Sequence, residues 1–192
     1  MTLDEFAMMI PDAAQTQLVA AMIRTRIASA TATPKPSATA PPVPCVAPGT
    51  PHNWGTTQRD NATTIIKVGL ALGIPQRGMV VALATAMQES RLYNLGYLGA
   101  NNDHDSIGLF QQRPSMGWGS KAQLTDPIFA ATAFYLALRR VAGWESMKVT
   151  VAAQRVQRSG YPNAYAKWEA DATALSQEIL CKEAAGPPAP SA

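Results

Sequence analysis

The chain has 192 residues, of which 47% are hydrophobic and 15% are charged, a globular composition that allows one packed domain with extensions. The formal net charge is only +3, and no run of lysine or arginine marks a nucleic-acid surface. These properties argue against a nucleic-acid partner and favour a globular protein.

The N-terminal segment, residues 1–33, has a weak helical pattern. Leu18, Met22 and Ile27 fall on one side of its longer part, which covers residues 13–29. No neighbouring stretch of sequence offers these side chains a core to join, so we expect the segment to be poorly ordered.

A proline-rich segment follows over residues 34–53, with seven prolines between Pro34 and Pro51. This composition favours extended, semi-rigid conformations and buries too little apolar surface to fold. We interpret the segment as a linker, which serves either as a tether for a domain that must reach a substrate or as a plain disordered tail.

Residues 54–182 contain a succession of helix signals and almost no period-two alternation. The pattern predicts an all-α domain of five or six helices, followed by a frayed tail at 183–192. The helix-start signals, in chain order, are Thr56 or Thr57, Pro75, Asp126-Pro127, Thr150 and Pro162.

One irregular segment interrupts the helices, over residues 94–120. Irregular segments of this length are uncommon inside a compact domain and are often functional. We expect a long glycine-rich loop that lines a cleft. Its glycines are Gly96, Gly99, Gly108, Gly117 and Gly119.

The helix before this loop is apolar from Met79 to Met87 except for Thr85, and it becomes polar at Gln88 and Glu89. A helix that is apolar all round is normally buried. The negative end of the helix dipole and partial burial would both raise the pKa of Glu89. A carboxyl group that keeps its proton near neutral pH suits general-acid cleavage of a glycoside, although the same residue could simply face water.

The pair Glu89-Ser90, followed by Ser106, the run Gly108-Leu109-Phe110-Gln111 and Pro114, resembles the signature of the lysozyme-like superfamily. The most similar members are the soluble lytic transglycosylases and the goose-type lysozymes, and the resemblance covers roughly residues 57–170. It implies a lysozyme-like fold, peptidoglycan glycan strands as the substrate, and no metal or organic cofactor.

By this resemblance, Glu89 is the catalytic acid that then serves as the base. Ser90 would orient its carboxyl group, and Gln111 would line the sugar cleft, with Ser106 and Gln112 as supporting residues.

Two departures from the family pattern bear on activity. The interval between Glu89 and Gly108 is longer than usual, which indicates a remodelled loop. Val156-Gln157 stands where the family has Tyr-Asn, so an aromatic hydroxyl that supports the carboxyl group is missing, although Gln157 can still donate a hydrogen bond. The alternative to an enzyme is therefore a non-catalytic peptidoglycan-binding or assembly module on the same fold.

A second carboxylate would distinguish a hydrolase from a transglycosylase. Asp103 and Asp105 lie in the loop, where either could activate water, but the neighbouring asparagines also favour a simple turn. Arg113 could bind an anionic peptide stem, or it could pair with Asp105 or Asp126.

The aromatic residues offer further candidates for contact with a sugar. Trp118 stands between two glycines, which suits either an open sugar-stacking platform or a hydrophobic plug beneath the loop. Tyr161 is included as a supporting residue near the rim of the cleft, whereas Tyr165, Trp54 and Trp168 are expected in the core or at its rim.

Cys45 and Cys181 flank the predicted domain. They could form a disulfide in an oxidising compartment, worth about 4 to 5 kcal/mol on the chain-entropy model, or remain two thiols in a reducing one. Pro11 and Asp12 interrupt the apolar residues of the N-terminus, so neither a signal peptide nor an integral membrane span is predicted.

The peptidoglycan substrate nevertheless implies an extracytoplasmic or cell-wall-associated monomer. The lack of a visible export signal leaves an intracellular interaction protein as a third hypothesis.

Overall fold

The computed structural model describes residues 10–32, 52–159, 161 and 163–185. Over these residues the chain forms seven α-helices and no strand apart from one isolated bridge between Ile107 and Gln112, which confirms the all-α prediction. The helices are α1 (Ala13–Ala32), α2 (Thr56–Ala71), α3 (Gln76–Ser90), α4 (Lys121–Leu124), α5 (Pro127–Arg140), α6 (Val149–Gln157) and α7 (Glu169–Ala185).

Helix α3 lies at the centre of the fold, where it contacts α2, α5, α6 and α7. Its residues from Gly78 to Met87 are all buried, as expected of a helix that is apolar all round. The helix ends where Arg91 adopts a left-handed conformation with φ 56° and ψ 35°. The last turn of α3, which carries Glu89, is therefore held by packing on several sides.

Helix α1 joins the core, so the expectation that it lacks a packing partner is wrong. Thr16, Ala20 and Ile23 are 0%, 0% and 3% exposed and face α2 and α5. Of the three larger apolar residues on the predicted side, Leu18 and Met22 point to solvent, and Ile27 is partly buried against the core. Small side chains at positions 16 and 20 allow α1 to approach its neighbours closely, a possibility that a search for large apolar residues does not reveal.

The predicted helix starts are correct at some positions and wrong at others. Asp126 caps α5 by accepting backbone N–H groups, as predicted. Helix α2 begins at Thr56, but its cap is Gly55. Thr150 lies inside α6, one residue after its start. Pro162 is outside the described residues.

The segment between α3 and α4 is anchored to the core by its own apolar residues. Ile107, Leu109 and Phe110 are buried, and the Phe110 ring stacks on Phe134 with the ring centroids 4.7 Å apart. Gly108 has φ 77°, and a Cβ atom there would lie 2.1 Å from the carbonyl oxygen of Leu124. Only glycine fits at this position, because the loop backbone passes directly against the end of α4.

The ends of the domain differ slightly from the predicted boundaries. Helix α7 continues to Ala185, three residues beyond the expected end at 182. Cys181 forms a disulfide, and Cys45, its predicted partner, lies outside the described residues, as do residues 33–51 and 186–192. Among the helices that the structure describes, none has both the length and the hydropathy of a membrane span.

The packing of α1 can be tested with two neighbouring substitutions. We expect Ile23→Ala to lower the free energy of unfolding by about 2 to 4 kcal/mol, because it leaves a cavity between α1 and the core. The matched change Met22→Ala removes a side chain that is 72% exposed and should cost less than about 0.5 kcal/mol. Urea unfolding monitored by circular dichroism measures both, and equal effects would contradict the packing of α1.

Candidate functional site

Glu89 lies on the last turn of α3, where its half-buried carboxyl group receives hydrogen bonds from two side chains. The Tyr165 hydroxyl donates to Glu89 Oε1 at 2.7 Å. The side-chain amide of Gln157, the last residue of α6, donates a second hydrogen bond to the carboxyl group. Three separate parts of the chain thus converge on one titratable group.

The pKa of Glu89 is raised above its ordinary value of 4.5. Burial of the carboxyl group is the largest cause, because it disfavours the ionised form. The hydrogen bonds from Tyr165 and Gln157 favour the ionised form and partly offset this effect, while the negative charge of Asp103 adds to the rise. The direction agrees with the sequence-based prediction, although burial is the main cause rather than the helix end.

Tyr165 provides an aromatic hydroxyl group to Glu89. The sequence predicts no such group, because Val156 stands at the position where the resemblance has a tyrosine. Tyr165 is fully buried just before the short 3₁₀ helix Ala166–Trp168. Burial and the neighbouring Glu89 carboxylate raise the pKa of Tyr165, so its hydroxyl stays protonated and remains a donor. Glu89 therefore has an aromatic hydroxyl as a partner even though Val156 carries none.

Gln157 also connects Glu89 to the irregular segment. Its Nε2 atom donates to the carbonyl oxygen of Phe110 at 2.6 Å. A terminal amide carries two N–H groups, so one can point to Phe110 and the other to Glu89. The predicted supporting role of Gln157 thus has two separate contacts.

Ser90 acts on the backbone rather than on the carboxyl group of Glu89. Its hydroxyl is 5% exposed and donates to the carbonyl oxygen of Leu109 at 2.8 Å, with the carbonyl oxygen of Ala86 at 3.1 Å. It therefore joins the end of α3 to the irregular segment. Any orienting effect of Ser90 on Glu89 is indirect.

The two aspartates of the loop differ in their surroundings. Asp105 Oδ1 accepts hydrogen bonds from Arg113 Nε at 2.9 Å and from the Ser115 hydroxyl at 2.8 Å, and Oδ2 accepts the Ser115 backbone N–H at 2.7 Å. Burial raises the pKa of Asp105, but these donors outweigh it and hold the pKa well below the ordinary range. Asp105 is thus a structural carboxylate paired with Arg113.

Asp103 is the loop aspartate whose negative charge raises the pKa of Glu89. Its side chain is 88% exposed and lies 2.7 Å from His104 Nδ1. The predicted turn is present around it, because the Asn102 amide donates to the backbone carbonyls of His104 and Ser106, both at 2.9 Å.

The remaining polar candidates of the loop lie within its own framework. Ser106 is buried, and its backbone N–H bonds to Asp103 at 3.1 Å. The Gln111 amide donates to the carbonyl oxygen of Gly108 at 2.9 Å. Gln112 is 2% exposed, and neither polar atom of its side chain has a hydrogen-bond partner in the part of the chain that the structure describes. The hydrogen bonds of Ser106 and Gln111 lie within the loop, and none of the three residues contributes to the pKa of Glu89.

The two aromatic candidates differ in exposure. Trp118 is 4% exposed and belongs to the core, so it is the plug beneath the loop and offers no open face to a sugar. Tyr161 is 77% exposed, whereas Tyr165 contacts Glu89.

The site has the features of a proton donor and acceptor. A single carboxyl group with a raised pKa is held between neutral donors, one of them fully buried. Among the described residues, no group of three or more His, Cys, Asp and Glu side chains could hold a metal ion. Comparisons with protein-family models and with the curated proteins gave no match to the chain.

The hydrogen bond from Tyr165 to Glu89 predicts how a substitution at Tyr165 changes the pKa of Glu89. Tyr165→Phe removes a donor that favours the carboxylate, so we expect the pKa of Glu89 to rise above its value in the parent protein. Carbon-13 NMR titration of the labelled Glu89 carboxyl group measures this shift. Tyr161→Phe, the matched change at an exposed tyrosine, should leave the titration unaltered, and a fall in pKa in Tyr165→Phe would contradict the contact.

The burial of Glu89 also predicts how stability depends on pH. Because the folded-state pKa is raised, ionised Glu89 destabilises the fold; the penalty is absent well below pH 4.5 and grows as the pH rises through the folded pKa. We expect Glu89→Gln to increase the free energy of unfolding at pH 7 and to have little effect near pH 3. Denaturant unfolding across this range tests it, with the exposed Glu145→Gln as the control.

Proposed function

We propose that this domain cleaves the glycan strands of peptidoglycan, with Glu89 as the general acid and then the general base. The observation that carries the proposal is the half-buried Glu89 carboxyl group with a raised pKa, hydrogen-bonded by Tyr165 and Gln157. It stands at the position where the lysozyme-like resemblance requires the catalytic acid.

The chemistry follows from the two states of this carboxyl group. The protonated acid donates its proton to the glycosidic oxygen as the bond to the anomeric carbon breaks, through a transition state with oxocarbenium character. The resulting carboxylate is then stabilised by Tyr165 and Gln157, whose hydrogen bonds favour the charged form. It next removes a proton from the incoming hydroxyl group, which restores the acid.

The incoming hydroxyl group defines two versions of the reaction. In a lytic transglycosylase it is the C6 hydroxyl of the same sugar, which closes a 1,6-anhydro ring. In a muramidase it is water, which a second carboxylate can activate. Asp105 is occupied by Arg113 and Ser115, so Asp103 is the candidate for that second role.

The cellular setting is part of the same proposal. The disulfide at Cys181 is typical of an oxidising environment, which favours an extracytoplasmic or cell-wall-associated protein over an intracellular one.

The alternative is a peptidoglycan-binding module without catalytic activity. It was favoured by the absence of the family's Tyr-Asn pair, and Tyr165 weakens that argument by supplying a hydroxyl group to Glu89. Binding to cell-wall sacculi without release of soluble products would support this alternative.

Digestion of purified peptidoglycan tests the proposal directly. We expect the parent protein to release soluble muropeptides and Glu89→Gln to reduce the rate at least about 100-fold, since a general acid typically contributes 10² to 10⁴. Glu145→Gln should retain the parent rate. Failure of the parent to release products, or equal rates in parent and Glu89→Gln, would refute the catalytic role.

Mass spectrometry of the same products separates the two versions of the reaction. Anhydro ends indicate a transglycosylase, and reducing ends indicate a hydrolase. Asp103→Asn should lower the yield of reducing ends if Asp103 activates water and should leave the yield of anhydro ends unchanged.

A further inference from the structure

A cavity of about 440 Å³ lies beside the end of α3 that carries Glu89. Ser90, the residue that follows Glu89 in the chain, is one of its lining residues, whereas Glu89 itself is not. The side chains that give it chemical character are His52, Trp54, Gln58, Arg91 and Tyr93. Tyr93 is 46% exposed, which leaves this side of the cavity open to solvent.

Arg91 brings a positive charge to this cavity. Its guanidinium group stacks on two tryptophan rings and forms no ion pair with a described residue. Its guanidinium carbon lies 4.8 Å from the ring centroid of Trp168 and 6.0 Å from that of Trp54. Among the described residues no carboxylate lies within ion-pair distance of Arg91. Stacking uses the faces of a guanidinium group and leaves its N–H edge able to bind a carboxylate in bidentate fashion.

The position of Arg91 is fixed from several directions. Gln58 Nε2 donates to the Arg91 carbonyl oxygen at 2.7 Å. Trp168 Nε1 donates to Gln88 Oε1 at 2.9 Å, which holds the ring beneath the guanidinium group. A cation positioned in this way loses little freedom when an anion binds to it.

A neutral donor in the same cavity also lacks a partner. Trp54 is 4% exposed, and its indole Nε1 has no hydrogen-bond acceptor among the described residues. Because Nε1 itself is inaccessible, Trp54 lines the cavity without offering this donor to a ligand.

We propose that this cavity binds a carboxylate of the peptide stem attached to the glycan, with Arg91 as its cation. The inference rests on the proposed function for the identity of the ligand, since muramic acid carries peptides with free carboxylates. It also assigns the role that the sequence suggested for Arg113, whose guanidinium is paired with Asp105 instead.

The test uses the full chain carrying Glu89→Gln, so that no probe is cleaved. The probes are N-acetylmuramyl-L-alanyl-D-glutamate, its diamide and peptide-free chitotetraose, measured by calorimetry. We expect the diacid to bind about 10 to 100-fold more tightly than the diamide, the range for hydrogen bonds to a charged group. Arg91→Gln should abolish this preference, and Arg155→Gln, an exposed arginine on α6, should retain it.

A second readout locates the ligand. The indole N–H resonance of Trp54, assigned by its loss in Trp54→Phe, should shift on addition of the diacid and not on addition of chitotetraose. Equal binding of diacid and diamide, or a preference that survives Arg91→Gln, overturns the proposal.

The two proposals can fail separately. Cleavage of glycan with and without peptide stems at equal rates, with no preference for the diacid, keeps the proposed function and removes the stem site. Binding of the diacid through Arg91 by a protein that releases no muropeptides keeps the stem site and removes the catalytic function.

Discussion

The burial of α3 is the constraint on which the rest of the structure depends. In a helix surrounded by other helices, a polar side chain loses its contact with water and must find a partner within the protein. Between Gly78 and Met87 of α3, Thr85 does so by donating to the carbonyl oxygen of Val81 at 2.7 Å, and the other polar side chains of the helix lie at its two ends. In this protein the chain becomes polar within one turn, at Gln88, Glu89 and Ser90, and each of these side chains has a defined hydrogen-bond partner. The central helix thus serves both as the core and as the rigid support of the carboxyl group.

The partners of these three residues come from distant parts of the chain. Trp168 bonds Gln88, Tyr165 bonds Glu89, and the backbone at Leu109 bonds Ser90. The end of α3 is therefore the point where the irregular segment and the residues before α7 meet. Its geometry depends on the complete tertiary structure and not on α3 alone.

The sequence was sufficient for features that follow from local periodicity. The all-α class, the buried α3, the cap at Asp126 and the raised pKa of Glu89 were all predicted correctly. Each of these predictions rests on residues that are close together in the sequence, and none requires knowing which other segment of the chain packs against them.

The sequence was insufficient wherever the answer depended on which segments meet in space. Tyr165 follows Glu89 by 76 positions, and nothing local distinguishes it from Tyr161. Trp118 has the glycine neighbours of an exposed ring but packs into the core. Helix α1 packs on the core through Thr16, Ala20 and Ile23, a set of contacts that no local pattern indicated.

Gln157 makes the pKa of Glu89 depend on the position of the irregular segment. One amide group contacts both the Phe110 carbonyl and the Glu89 carboxyl group, so a displacement of the irregular segment changes the hydrogen bonding of the proton site. Thermodynamic linkage makes the effect reciprocal: a ligand that moves the segment alters the proton affinity of Glu89, and protonation of Glu89 alters the affinity for that ligand by the same factor. Binding of such a ligand and uptake or release of one proton are then two measurements of a single coupling energy.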